Sequence, residues 1–198
     1  SGPGVRGAAD KKVPAYNFRP CVTTTPENRR EFYRPADYDP REYELLVQYF
    51  RKSLHLRLSE LFTFLKVPGN KVDLNNKGPF STDYIGQNWD YPEGSLQERH
   101  SIVERHKTYT QGLMYFLSTD PRVPSSIREP VAKYGYCKDE FVNNDNFPRQ
   151  IYVRVGRRLV GEYVLRESDL RTRARKADPI ARASCPVESH HMQRFRDQ

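Results

Sequence analysis

Two adjacent histidines, His190 and His191, stand in the segment ESHHMQR near the end of the 198-residue sequence. An imidazole can accept a proton near neutral pH, so one of the pair could act as the general base of a reaction. Adjacent residues of a strand point to opposite sides, so we expect no metal site made from both. The alternative is that the pair is exposed or has a structural role.

Three arginines lie close together in the segment RVGRR. Arg154, Arg157 and Arg158 could contact an anionic group, such as a cofactor pyrophosphate or a substrate carboxylate, through the forked hydrogen bonds of their guanidinium groups. The alternative is ion pairing within the fold, with Glu162 or Asp169 as partners.

Residues 71–94 are dense in Asn, Asp, Gly, Tyr and Trp and show no periodicity. We expect one long ordered loop here, because the aromatic residues argue against disorder. Amides and acids can bind sugar hydroxyls, and an aromatic face can stack on a sugar ring. The alternative is a packed loop whose Asn and Asp side chains bond their own backbone. The candidate sugar-binding residues are Asn75, Asn76, Asp83, Tyr84, Asn88, Trp89 and Asp90.

Gly2 to Gly7 read G-P-G-V-R-G, which matches the G-x-G-x-x-G pattern of dinucleotide-binding folds. That pattern holds a pyrophosphate only where a buried strand leads into it and a helix leads out. Only Ser1 precedes Gly2, and Pro14 would interrupt a following helix. We therefore predict a flexible N-terminal end over residues 1–12 and no nucleotide site there.

The three cysteines, Cys21, Cys137 and Cys185, share no C-x-x-C spacing. We predict three unpaired thiols, with neither a disulfide framework nor a zinc site. No apolar run approaches the length of a membrane span and none reads as a signal peptide, so we expect a soluble domain. Composition leaves the cellular compartment open.

The first helix is predicted from Asp39 as N-cap and Pro40 in the first turn, with Glu42 reaching back to the cap. Its apolar face should continue to about Lys52. The following segment, LSELFTFLKV, is ambiguous between helix and strand, and Pro68-Gly69-Asn70 predicts a turn after it.

A second, longer helix is predicted from the capping box of Ser95 and Glu98 and should end near Ser118. Another capping box, Ser126 to Glu129, predicts a short helix that Gly135 terminates. The apolar face of the long helix is predicted to contain Ile102, His106, Tyr109, Leu113 and Phe116.

Two further segments, 13–25 and 150–165, are rich in β-branched and aromatic residues and predict strands. The first should be interrupted at Pro20, and the second at Gly156 or Gly161. Helices mixed with antiparallel strands and long ordered loops indicate the α+β class.

Seven stretches appear in order along the chain: AYNFRPCVTTTPENR, YDPREYELL, NNKGPFSTDYIGQNWDYPE, YTQGLMYFLSTDPRVP, KDEF, YVRVGRRLVGEYVL and ESHHMQR. Together they closely resemble the middle region of a bacterial family of FAD-dependent oxidoreductases, some of whose relatives are named xanthan lyases. The resemblance extends from about Val13 to Phe195.

The resemblance implies a single substrate-facing α+β domain over residues 13–198, with the FAD-binding halves outside these residues. It implies FAD as cofactor and the FAD-binding domain of the same parent protein as partner. The implied reaction is oxidation of an alcohol-type, carbohydrate-like small molecule, with hydride passing to FAD. One of the adjacent histidines would then be the base, and the arginines of RVGRR would contact FAD. We do not expect the chain to be catalytic by itself.

Two other function classes stay open. One is a non-catalytic module that binds sugars or another protein, with a preformed groove at Trp89. The other is a nucleic-acid-binding domain, which the net charge of +8 permits. We rank a nucleic-acid partner last, because the basic residues are not interleaved with base-stacking aromatics.

Overall fold

The computed structural model describes residues 8, 10–53, 55–157, 160–164, 169 and 190–194. Its strands are β1 (Cys21–Thr23), β2 (Arg29–Arg30), β3 (Phe62–Val67), β4 (Lys71–Asn76) and β5 (Gly135–Cys137). Its helices are α1 (Glu44–Lys52), α2 (Leu58–Leu61), α3 (Leu96–Thr119) and α4 (Ser125–Ala132). Short 3₁₀ helices cover Pro26–Asn28, Pro40–Tyr43 and Val142–Asn144.

The strands form one antiparallel sheet in the order β2-β5-β1-β4-β3. Strand β1 is central, and its Val22 lies opposite Val72 of β4 on one side and Tyr136 of β5 on the other. The combination of this sheet with the helices confirms the predicted α+β class.

The ambiguous segment before the predicted turn is both helix and strand, since α2 is followed directly by β3. The turn at Pro68-Gly69-Asn70 is confirmed: Gly69 and Asn70 adopt φ values of 81° and 60°, the left-handed region that Gly and Asn tolerate best. The expected loop over 71–94 is wrong for its first six residues, which form β4. Pairing with strands on both sides and burial of Leu74 outweigh the polar composition there.

The first predicted helix is confirmed, as a 3₁₀ turn that continues into α1 and ends at Lys52. The Asp39 carboxylate accepts a hydrogen bond from the Arg41 backbone N–H at 2.9 Å, as expected of an N-cap. Glu42 does not reach back to the cap. Its carboxylate instead accepts a hydrogen bond from the Tyr84 hydroxyl at 2.8 Å, which ties the 77–94 loop to the start of α1.

The long helix α3 starts at the predicted capping box and ends one residue beyond the predicted Ser118. The Ser95 Oγ accepts from the Glu98 backbone N–H at 3.3 Å, and Glu98 accepts from the Ser95 N–H at 2.7 Å. The whole predicted apolar face is buried, as are Met114 and Leu117.

Helix α4 lies where a short helix was predicted, but its boundaries differ. It begins after Pro124, whose carbonyl accepts from the N–H groups of Ile127 and Arg128, so no capping box forms at Ser126. Gly135 does not terminate the helix but begins β5. A Cβ there would overlap the carbonyl of Arg30 in β2, so close strand approach explains the glycine.

The two predicted strands over 13–25 and 150–165 are largely wrong. The first pairs as a strand only over β1, with Asn17 in single bridges to Asp83 and Tyr152. In the described part of the second, 150–157 and 160–164, the bridge at Tyr152 is the only β pairing. The Val155 carbonyl accepts instead from the Tyr16 hydroxyl at 3.1 Å, so a side chain takes the place of a ladder partner.

Aromatic side chains join the helices, the sheet and the 77–94 loop in one hydrophobic core. The rings of Tyr84 and Tyr109 stack with centroids 4.0 Å apart and planes at 5°, which packs the loop on α3. Tyr43 stacks on Phe116 at 5.0 Å and packs the 3₁₀ turn on the same helix. Of the helices in the described residues, none is long and apolar enough to cross a membrane.

His106 is the one side chain of the predicted apolar face whose ordinary pKa lies near neutral pH. It is 1% exposed, and its Nδ1 lies 2.8 Å from the Ile102 carbonyl, so Nδ1 carries the proton and donates. Burial lowers the pKa of His106 from 6.5 to about 4, since the core disfavours the charged ring.

We predict that acidification destabilises the fold through His106. The unfolded chain binds a proton at this ring near pH 6.5 and the folded chain only below about pH 4, so the free energy of unfolding falls as pH falls through this window. The full loss is roughly 3 kcal/mol. His106→Phe, which cannot titrate, should remove most of this dependence of the free energy of unfolding on pH, as measured by urea unfolding between pH 7 and pH 4.5.

The exposed His100 on the same helix provides the matched control. His100→Gln should retain the pH dependence of the unmodified protein, because it leaves His106 in place. If the free energy of unfolding depends on pH equally in His106→Phe and in the unmodified protein, His106 is not the source of the pH dependence.

Candidate functional site

The segment 190–194, which contains both histidines, packs against two other parts of the chain. The Ala15 N–H donates to the His191 carbonyl at 3.1 Å, and the Trp89 indole N–H donates to the Met192 carbonyl at 3.0 Å. The Arg194 guanidinium donates twice to the Pro79 carbonyl, at 2.8 and 3.1 Å. These contacts bring the histidine segment onto the 77–94 loop.

His190 faces inward and meets a buried carboxylate. Its Nδ1 lies 3.0 Å from Oδ2 of Asp83, a residue 107 positions earlier in the sequence. The Asp83 side chain is 2% exposed and that of His190 is 17% exposed. The backbone of Asp83 is fixed by its bridge to Asn17, so the carboxylate is presented to the imidazole by a paired segment.

Arg154 completes the cluster from a third part of the chain. Its Nη2 donates to Oδ1 of Asn17 at 3.1 Å and to Oδ1 of Asn76 at 3.0 Å, and its Nε donates to the Ala15 carbonyl at 3.2 Å. The same Nη2 lies 3.7 Å from Oδ1 of Asp83, an ion pair without a hydrogen bond. The Arg154 side chain, which is 10% exposed, therefore orients two amides and balances the carboxylate.

The hydrogen bonds determine which His190 nitrogen carries the proton. Because Oδ1 of Asn76 accepts from Arg154, its amide nitrogen is turned toward His190 and lies 3.2 Å from Nδ1. Asp83 at 3.0 Å is the stronger acceptor, so we assign the proton to Nδ1 and treat the Asn76 amide as a packing contact. The other nitrogen, Nε2, is then left with a lone pair.

Asp83 has a perturbed environment. Burial raises the pKa of its carboxyl group above the usual value, while the hydrogen bond from His190 and the charge of Arg154 act in the opposite direction. Among the described residues, no donor lies within hydrogen-bond distance of its Oδ1. A buried carboxyl group with one imidazole partner is an arrangement found at proton-transfer sites.

Neither His191 nor Arg157 takes part in the hydrogen bonds of this cluster. His191 is exposed, in agreement with the expectation that the two rings point to opposite sides. Arg157 is an exposed surface residue, and its Nε donates to Glu93 at 3.1 Å. Arg158 lies outside the described residues.

The predicted sugar-binding residues divide into two groups. Asp83 and Asn88 are buried, and the Asn88 amide donates to the Pro14 carbonyl at 2.9 Å, so both face the interior. The Oδ1 of Asn75 in β4 accepts from the Asn76 backbone N–H at 2.9 Å, so this side-chain oxygen bonds the neighbouring backbone. Asn75, Asn76, Tyr84 and Trp89 are half-buried, and Asp90 is exposed.

Trp89 borders an open cleft of about 690 Å³. Asp90, Glu93 and Lys12 also line it, and the Lys12 ammonium lies 5.6 Å from the centroid of the indole ring. The cleft therefore combines an aromatic face with carboxylates. Within the described residues no group of His, Cys, Asp and Glu could hold a metal ion.

Sequence reasoning missed Asn17 and the inward orientation of Asp83. Asn17 is fully buried, and its amide donates to Thr82 at 3.0 Å and to Asn75 at 3.3 Å while its oxygen accepts from Arg154. One signal was present in the sequence. An Asn between the apolar residues of AYNF breaks an otherwise buried pattern, and buried amides need partners.

The chain belongs to the family described as FAD dependent oxidoreductase, which matches residues 4–198. FAD is therefore the cofactor expected of the protein. No curated protein and no solved structure matches the chain.

We predict that Arg154 is far more important for stability than Arg157. Arg154→Met would leave two amides and the Ala15 carbonyl without their donor and weaken the compensation of buried Asp83, at a cost of roughly 3–5 kcal/mol. Arg157→Met, the matched control, breaks only an exposed ion pair and should cost less than about 1 kcal/mol. Urea unfolding at neutral pH measures both, and equal costs would contradict the assigned geometry.

Proposed function

We propose that this chain is the substrate-facing middle region of an FAD-dependent oxidoreductase, in which His190 accepts the hydroxyl proton of an alcohol-type substrate. The observation that carries the proposal is the 3.0 Å contact between His190 Nδ1 and the buried Asp83 carboxylate. Alcohol oxidation needs a base at the hydroxyl group, and a histidine held by a carboxylate is suited to that task.

In this proposal Asp83 is a positioning residue. Its carboxylate holds the neutral ring with the proton on Nδ1, which leaves Nε2 to take the substrate proton. Once His190 is protonated, the negative charge of Asp83 stabilises the imidazolium. Arg154 holds the Asn76 amide beside the ring and limits its rotation.

The described residues do not by themselves form a cradle for FAD. The Arg154 guanidinium, predicted to contact a pyrophosphate, is turned inward onto Ala15, Asn17 and Asn76, and Arg157 is the exposed member of the group. We therefore place FAD on an FAD-binding domain of the parent protein, which is the implied partner. When bound, FAD supplies the hydride acceptor, and the residues of this chain handle the proton.

A carbohydrate-like substrate is the class that the surroundings of the site favour. The cleft at Trp89 is joined to the His190 segment by the hydrogen bond from the indole to Met192. It offers carboxylates for hydroxyl groups and an indole ring for an apolar sugar face.

The proposal is tested in the FAD-loaded parent protein by anaerobic flavin reduction with a panel of monosaccharides and sugar alcohols. His190→Gln should slow reduction by about 100- to 10,000-fold, because the proton acceptor is lost. Asp83→Asn should slow it less and change the pH profile of the rate, since the carboxylate acts through the imidazole. The flavin absorbance band checks that each variant carries its cofactor.

Two comparisons make this test specific. His100→Gln, on the exposed face of α3, should leave the rate unchanged. If His191→Gln causes the loss and His190→Gln does not, the base is His191 and the Asp83 contact is structural. Normal rates in both variants would overturn the proposal.

Sugar binding without catalysis is a second candidate function, favoured by the open cleft at Trp89. Trp89 is the only tryptophan of the sequence, so its fluorescence reports on this cleft alone. We predict a saturable change in emission when the isolated chain is titrated with oligosaccharides, reduced at least several-fold in affinity by Asp90→Ala. If the isolated chain binds sugars but sugars do not reduce the flavin of the parent protein, the binding role is favoured over the oxidoreductase role.

A further inference from the structure

Two of the three predicted unpaired thiols lie side by side in the sheet. The Sγ atoms of Cys21 in β1 and Cys137 in β5 are 3.3 Å apart, although the residues are 116 positions apart in the sequence. Both are free cysteines. Their spacing in the sequence does not predict this proximity.

The strand register explains this proximity. Val22 lies opposite Tyr136 and Thr23 opposite Gly135, so continuing the antiparallel ladder by one residue places Cys21 directly opposite Cys137. Directly opposed residues have Cβ atoms about 4.5–5.5 Å apart, and a disulfide needs about 3.5–4.5 Å. A small side-chain and backbone adjustment therefore suffices to bring the sulfurs from contact to bonding distance.

The two thiols are not equivalent. Cys21 is partly exposed and Cys137 is fully buried. The hydrogen bond between them lowers the pKa of Cys21 and raises that of Cys137, so Cys21 is the one that ionises first. Lys71, which pairs with Asp139 and Glu140 at 2.6 Å, is the nearby cation.

We infer that Cys21 and Cys137 form a reversible cross-strand disulfide by exchange with a small-molecule disulfide. The Cys21 thiolate attacks the reagent disulfide, forms a mixed disulfide and releases one thiolate of the reagent. The Cys137 thiol then loses its proton, and its sulfur attacks Sγ of Cys21 and releases the second thiolate. The protein loses two electrons and two protons in total, and the reagent disulfide becomes two thiols.

The test is oxidation of the full folded chain with oxidised glutathione, followed by denaturation, alkylation and intact mass measurement. We expect one alkylated thiol instead of three, and a peptide map in which the Cys21 and Cys137 peptides are linked. Treatment with dithiothreitol should restore three alkylated thiols. The oxidised form should unfold several degrees higher, since the bond closes a long loop in the unfolded chain.

Cys185, which lies outside the described residues, provides the matched control. Cys185→Ser should still form the disulfide and end with no alkylated thiol. Cys21→Ser should abolish the link. Three alkylated thiols after oxidation, glutathione retained on Cys21 beside a free Cys137, or a link to Cys185 from the folded chain would each overturn the inference. The unmodified protein and Cys185→Ser give these results even if the Cys21 variant does not fold.

Discussion

The Asp83 carboxyl group, buried almost completely, constrains the structure around the site. A carboxylate taken out of water is costly unless charges and donors compensate for it. Here the compensation comes from His190 at 3.0 Å and Arg154 at 3.7 Å, which belong to segments remote in the sequence. Docking of the 190–194 segment and ordering of the residues near Arg154 are therefore coupled, since either one alone would leave the carboxyl group undercompensated.

Aromatic packing stabilises the loop that buries Asp83, although the chain has a polar composition. The 77–94 loop has few aliphatic residues, yet Tyr84 stacks on Tyr109 and donates to Glu42, so the loop that carries Asp83 is fixed on α3 and at the start of α1. A tyrosine supplies apolar area and a hydroxyl group that finds a partner at the edge of the core. This explains how a loop without periodicity is ordered.

Short sequence patterns predicted those elements whose start, end or apolar face is determined by interactions between neighbouring residues. The capping box at Ser95 and the spacing of the following apolar residues were enough to define α3, because both act within a turn or two of helix. Strand β5 and the start of α4 were not predictable in this way. Gly135 reads as a helix terminator, and only the close approach of Arg30 shows its role in the sheet. The site follows the same division: residue type identified His190 as a candidate, whereas its pairing with Asp83 depends on the tertiary fold.

Arginine can serve either of two roles near His190: it can bind an anionic ligand, or it can balance a buried carboxylate within the fold. Arg154, for which the sequence left open either an anionic ligand or ion pairing within the fold, holds two amides and balances a carboxylate. In the proposed function, the charged groups around His190 therefore serve to position the base that accepts the substrate proton. In that proposal, an FAD-binding part of the parent protein binds the cofactor. A base positioned by a rigid, buried network keeps its orientation when that second part approaches, which is what proton removal in step with hydride transfer requires.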